Sequence, residues 1–180
     1  MIEREIKLEY PSVEAARTAV GALGLPALHP RRLQDDVLYD TPDGSLRARS
    51  CALRLRRDGA QSIVTFKGKP QPGIMKVRPE IETATADADK TAAILEALGY
   101  RVAFRYQKYR EESGDAFCVV AIDETPVGVF VELEGEADRI TALAEILGFT
   151  PAQYLTISYA GLHAERAAAL GLGPHMLFRA

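Results

Sequence analysis

The stretch Ile2-Glu3-Arg4-Glu5-Ile6-Lys7-Leu8-Glu9-Tyr10 decides how the rest of the chain is read. Apolar and charged residues largely alternate in it, with Arg4 the exception, and a period of two marks a strand with two unlike faces. Glu3, Glu5, Lys7 and Glu9 therefore share one face, while Ile2, Ile6, Leu8 and Tyr10 take the other. The alternation returns at Leu53 to Arg56, at Val77 to Glu82, at Lys108-Tyr109-Arg110 and at Val131 to Glu134. Any one of these faces reads as an ordinary solvated sheet surface. Together they do not, because outward faces usually mix Ser, Thr, Gln and Lys, whereas several of these strands carry doublets of one sign. A barrel sheathed by helices on its apolar outside turns the charged faces inward and so has a polar lumen in place of a packed core.

Around this pattern the chain predicts about eight strands and four helices. Strands are expected at residues 1–10, Leu33 to Asp40, Cys51 to Arg57, Ser62 to Lys67, Lys76 to Thr83, Val102 to Glu112, Phe117 to Asp123 and Gly128 to Glu134. Asp58-Gly59 makes a hairpin turn, and Gly68 to Gly73, with two prolines and one lysine, reads as a mobile loop. Helices are expected from the Ser12 N-cap to Gly24, over Asp89 to Leu98 before Gly99, over Asp138 to Leu147 before Gly148, and over Tyr159 to Leu170. The fold class is α+β: a closed, eight-stranded antiparallel barrel with helices packed outside, a single domain over residues 1–180.

Composition excludes several alternatives. With 180 residues, 47% hydrophobic and 26% charged, the chain suits one ordinary core and not a disordered or low-complexity segment. No apolar run approaches the roughly 20 residues of a membrane helix, and the charged N-terminus is unlike a signal peptide, so a cytoplasmic protein without a membrane partner is expected. Cys51 and Cys118 make no disulfide framework and lack neighbours at metal-ligand spacing. The balance of 22 Lys+Arg against 25 Asp+Glu, a net charge of −3, gives no general attraction to nucleic acid. The signs are segregated, however: basic residues gather in Arg47 to Arg56 and Arg101 to Arg110, acidic ones in Glu3 to Glu9 and Glu132 to Glu136.

A lumen holding Glu3, Glu5, Glu132 and Glu134 repels itself unless cations sit among the carboxylates. Oxygen donors without His or Cys favour Mg²⁺ or Mn²⁺ over zinc. Arg54, Arg56, Lys67, Arg78, Lys108 and Arg110 supply more positive charge than pairing with those carboxylates requires, and Arg and Lys match phosphate oxygens. A polyphosphate bridged by metal fits between the two sets. The histidines His29, His163 and His175 are expected in loop or terminal segments without partners, Tyr39 and Tyr159 as packing or base-stacking groups, and Arg47 and Arg49 on a solvated turn at the tunnel mouth.

These residues resemble the CYTH superfamily, the triphosphate tunnel metalloenzymes, which includes class IV adenylate cyclases, thiamine triphosphatases and inorganic tripolyphosphatases. Glu3-Arg4-Glu5-Ile6-Lys7 is similar to the family's N-terminal signature. It is followed in order by Tyr39-Asp40-Thr41, Leu53 to Arg56, Thr65-Phe66-Lys67-Gly68, Arg78 to Glu82, Lys108-Tyr109-Arg110, Ile122-Asp123, Val131 to Glu134 and Ser158-Tyr159. The resemblance implies a tunnel for a small-molecule triphosphate and a divalent metal. It implies metal ligation by Glu3, Glu5, Glu132 and Glu134, with Asp123 and Glu80 assisting, and phosphate binding by Arg54, Arg56, Lys67, Arg78, Lys108 and Arg110. Lys7 orients the reacting phosphate in this reading or, if neighbouring cations depress its pKa, helps deprotonate the nucleophile. The expected activity is hydrolysis of an organic or inorganic triphosphate such as thiamine triphosphate or tripolyphosphate. A class IV adenylate cyclase is the alternative, and a polyphosphate or nucleotide sensor without turnover a second one. Such a barrel could pair as a homodimer.

Overall fold

The computed structural model describes residues 1–179 and places the alternating strands in one closed sheet. The strands are β1 (Ile2–Tyr10), β2 (Ala27–Asp40), β3 (Ala52–Asp58), β4 (Gln61–Lys67), β5 (Lys76–Thr85), β6 (Arg101–Gly114), β7 (Cys118–Thr125) and β8 (Gly128–Gly135). They close in the order β1-β5-β4-β3-β2-β6-β7-β8, every pair antiparallel. Closure sets strands from opposite ends of the sequence side by side: Glu5 pairs with Glu134 and Lys7 with Glu132, while Glu3 pairs with Arg78 on the other flank of β1.

The apolar residues face outward, under helices. Ile6, Leu8, Val120, Ile122, Val131 and Leu133 pack beneath α1 (Val13–Gly21) and α4 (Ala137–Ile146), which contribute Ala16, Val20, Ile140 and Leu143. Val37, Tyr39 and Leu55 pack beneath Ala88 and Leu95 of α3 (Ala88–Ala97). Tyr106 and Phe130 meet Leu162 of α5 (Tyr159–Leu170) and Met176. Ser12, Asp87 and Ser158 cap α1, α3 and α5 by accepting from the amides of Ala15, Lys90 and Gly161. At Gly135 a Cβ would lie 2.1 Å from the Phe117 carbonyl oxygen, so only glycine lets β8 leave the barrel there.

Several elements differ from the sequence reading. The strand expected at Leu33 begins at Ala27, because register shifts around His29 accommodate Pro30, which cannot donate to a ladder. The first helix stops at Gly21, and Gly24, with φ 64°, lies in the turn beyond it. There are five α-helices among the described residues: α2 (Ser45–Ala48) replaces the solvated turn expected around Arg47 and Arg49. Asp40 builds it, its carboxylate accepting from the amides of Thr41, Leu46 and Arg47, a tertiary cap that local propensity does not display. The segment Gly68 to Gly73 is tied back to β5, with Gly68 N donating to Pro79 O and Gln71 N to Val77 O. The histidines are not partnerless loop residues: His29 lies in β2, the buried His163 lies in α5 with its Nε2 3.0 Å from Gly173 O, and His175 Nδ1 accepts from the Arg105 amide. No helix is long and apolar enough to cross a membrane among the described residues.

Because stability resides in the outer layer, Leu133→Ala, at a fully buried outward position, is expected to lower the unfolding free energy by about 2–5 kcal/mol in urea denaturation.

Candidate functional site

The inward faces line a cavity of about 1700 Å³. Glu3, Glu5, Lys7, Arg54, Arg56, Lys67, Arg78, Glu80, Lys108, Arg110, Glu132 and Glu134 all border it, whereas Asp123 lies behind its wall, fully buried. Alternation along each strand is what aims these side chains: β1 delivers Glu3, Glu5 and Lys7, β3 delivers Arg54 and Arg56, and β6 delivers Lys108 and Arg110.

One part of the cavity is acidic. Carboxylate oxygens of Glu3, Glu5 and Glu134 lie within 4.8 Å of one another. Glu3 is held by Lys67 Nζ at 2.5 Å and Arg78 Nε at 2.9 Å, and Lys67 also reaches Glu80 at 2.7 Å. Glu5 accepts from Lys76 at 2.7 Å and Lys7 at 3.0 Å. Burial opposes ionisation of Glu5, but Lys7 and Lys76 outweigh it and hold this carboxyl well below its usual range. Burial and then Glu5 push Glu3 up. Burial, with Glu3 and Glu5 beside it, pushes Glu134 up to about 7, and no hydrogen bond offsets the shift. This oxygen-only trio, one member of which carries no side-chain partner among the described residues, fits a hard divalent cation.

The other part is a lattice of exchanged ion pairs. Asp123 accepts from Lys108 at 2.8 Å, from Arg110 Nε at 2.6 Å and from the Tyr159 hydroxyl at 2.6 Å. Glu132 is shared between Lys7, at 3.1 Å, and Arg110. Burial is opposed at Glu132 by Lys108 and Lys7, which keep it well below the ordinary carboxyl range. The structure thus brings Glu3, Glu5 and Glu134 together, while Glu132, Asp123 and Glu80 face cations. Lys7 does not have the depressed pKa that a base would require. Burial acts against its ammonium, but Glu132 and Glu5 outweigh burial and raise the pKa above its ordinary value. Lys108 is pushed down, to about 8, by burial and then by Arg110, and burial lowers Lys76 as well.

Three inward-facing residues, Lys76, Asp36 and Thr65, had no site role in the sequence reading, and a fourth, Tyr159, was read only as packing or base stacking. Lys76 sits two residues before Arg78 on the same strand face, so the period of two already pointed to it. Asp36 bonds Arg56 at 2.8 Å, and Thr65 receives Arg54 at 3.0 Å; neither belongs to a like-charge doublet. Tyr159 enters from α5, with its ring 5.2 Å from Lys7 Nζ and 5.0 Å from Lys108 Nζ. Both tyrosines border the cavity, Tyr159 turned toward these two cations and Tyr39 packed in the outer cluster.

The arrangement has counterparts among known proteins. A Methanocaldococcus jannaschii protein, provisionally named an adenylate cyclase, is 29% identical over 148 residues, covering 82% of this chain and 84% of that one. The adenylate cyclase CyaB of Aeromonas hydrophila is 29% identical over 174 residues, 87% of this chain and 86% of its own. A structure from Hippeastrum, described as an adenylyl cyclase candidate with dominant triphosphatase activity, superposes with a TM-score of 0.67 at 21% identity over 92% of this chain and 96% of its own. The sequence model of the CYTH domain matches residues 1–150, all eight strands of the barrel and their charged faces included, and the chain belongs to that family.

Proposed function

We propose that this protein is a divalent-metal-dependent phosphohydrolase of small-molecule triphosphates. The observation that carries the reading is the convergence of Glu3, Glu5 and Glu134 in the same cavity as Arg54, Arg56, Lys67, Arg78, Lys108 and Arg110. The three glutamates would hold Mg²⁺ or Mn²⁺, with Glu132 and Glu80 as assisting carboxylates, while Asp123, behind the cavity wall, holds Lys108 and Arg110 instead of metal. The bound ion supplies neutralisation of phosphate charge and activation of water. The arginines and lysines bind and orient the phosphates, and Arg110, paired with both Asp123 and Glu132, must exchange a carboxylate for a phosphate oxygen to do so. Lys7, with its raised pKa, acts as a fixed positive charge that orients the reacting phosphate and not as a base. Phosphoryl transfer asks the protein mainly for such positioning and charge neutralisation.

A second reading, adenylate cyclase, is favoured by the names of the two sequence relatives. In it the ribose 3′-hydroxyl attacks the α-phosphorus and pyrophosphate leaves, with the same charged residues in use. The Hippeastrum neighbour's triphosphatase description supports the hydrolytic reading.

Three measurements test these assignments. With Mg²⁺ or Mn²⁺ and ATP, thiamine triphosphate or tripolyphosphate supplied separately, the expected product is orthophosphate. Equal amounts of cyclic AMP and pyrophosphate from ATP would replace hydrolysis with cyclisation, and no product with either metal would leave only a binding module. Glu5→Gln and Glu134→Gln are each expected to lower turnover by about 10²-fold or more while the folded structure persists, since each removes a charge from the metal trio. Unchanged rates in both would refute the metal assignment. The third concerns pH: Glu134 is protonated below about 7, so metal has to displace that proton. Mg²⁺ affinity, followed by calorimetry, should rise with pH through about 7 and level off above it, and Glu134→Gln should flatten the rise. Without metal the sign for stability is opposite: a raised carboxyl pKa favours the fold at low pH, and that contribution is lost as pH climbs through about 7.

A further inference from the structure

Tyr159 lies beyond residues 1–150 that the CYTH domain model matches, yet its side chain occupies the centre of the cation lattice. It is the first residue of α5, capped by Ser158, and is 7% exposed. The helix that carries it is anchored at several points. Leu155, just before it, exchanges backbone hydrogen bonds with Lys7, each 2.9 Å long. Farther along α5, Arg166 bonds the Glu9 carboxylate and the Val127 carbonyl. The ring packs edge-on against Phe130 and faces both Lys7 and Lys108, and the hydroxyl donates to Asp123 Oδ2. Tyr159 is thereby fixed before any ligand arrives.

The position of the hydroxyl matters because Asp123 is fully buried and its other partners, Lys108 and Arg110, are cations assigned to phosphate. When those cations turn to a phosphate, Asp123 loses their charge, and a buried carboxylate without partners is strongly unfavourable. The Tyr159 hydroxyl belongs to neither the ligand nor the exchanging cations, so it stays on Asp123 throughout. We propose that Tyr159 is a positioning residue that retains Asp123 while Lys108 and Arg110 pass to the phosphates, so that the segment after residue 150 completes the phosphate site. The proposal rests on the lumen being the triphosphate site.

The test is calorimetric binding of tripolyphosphate to the full chain without divalent metal, which requires no turnover. Tyr159→Phe keeps the ring faces toward Lys7 and Lys108 and removes only the hydroxyl. It is expected to weaken binding by about tenfold in a protein that remains folded, because Asp123 then holds its cations more tightly. Removing the carboxylate charge in the same background, in the double variant Tyr159→Phe with Asp123→Asn, frees those cations and is expected to return affinity to within about threefold of the wild type. Wild-type affinity in Tyr159→Phe, or a double variant as weak as that single one, would overturn the role of Tyr159. Failure of the wild-type protein to bind tripolyphosphate both without and with Mg²⁺ would instead overturn the triphosphate reading beneath it.

Discussion

Charges buried inside a barrel must find partners, and the rest of this structure follows from that requirement. Taking a carboxylate or an ammonium out of water costs several kcal/mol per ion even after relaxation, so an isolated one is not tolerated in the lumen. The lumen answers with shared pairs: Arg110 serves Asp123 and Glu132, Lys7 serves Glu5 and Glu132, and Lys67 serves Glu3 and Glu80. Such pairs roughly offset their own desolvation and contribute little net stability. The apolar layer between the strands and α1, α3, α4 and α5 therefore has to hold the fold together, and closure of the sheet removes the edges that a two-faced sheet would otherwise expose.

The same lattice is prepared for a ligand carrying many negative charges. Its cations are already desolvated and already held by oxygen atoms, so a phosphate oxygen takes the place of a carboxylate oxygen and does not strip water from a free guanidinium. The acidic corner is poised in the opposite sense. Glu134 has no compensating cation in bonding range, and its proton is held up to about 7 by burial and by Glu3 and Glu5, a charge deficit that a divalent cation would satisfy. Cationic and acidic parts lie within one cavity because β1 and β8 are neighbours in the closed sheet although they stand at opposite ends of the barrel sequence.

The strands were legible wherever two unlike faces persisted for four residues or more. Ile2 to Tyr10 and Val131 to Glu134 display a period of two in any context, because a strand rotates successive side chains to opposite faces. Lys76 is equally legible, two residues from Arg78 on the same face of β5. The missed helix α2 and the early start of β2 were not visible locally: Asp40 caps α2 across an intervening loop, and the bulges around His29 depend on pairing with β6.

The order of strand faces along the chain, by itself, determined that a charged lumen would be enclosed by an apolar outside, since side-chain direction is a local property of extended backbone. Tertiary structure alone decided which charges meet. Strand register and closure set Glu134 beside Glu3 and Glu5, gave Glu132 to Lys7 and Arg110, and brought Tyr159 from a distant helix onto Asp123. Burial and those partnerships together set whether a lysine is held charged, as Lys7 is, or pushed toward neutrality, as Lys108 is, because ionisation responds to the surroundings within a few ångströms and not to position along the chain.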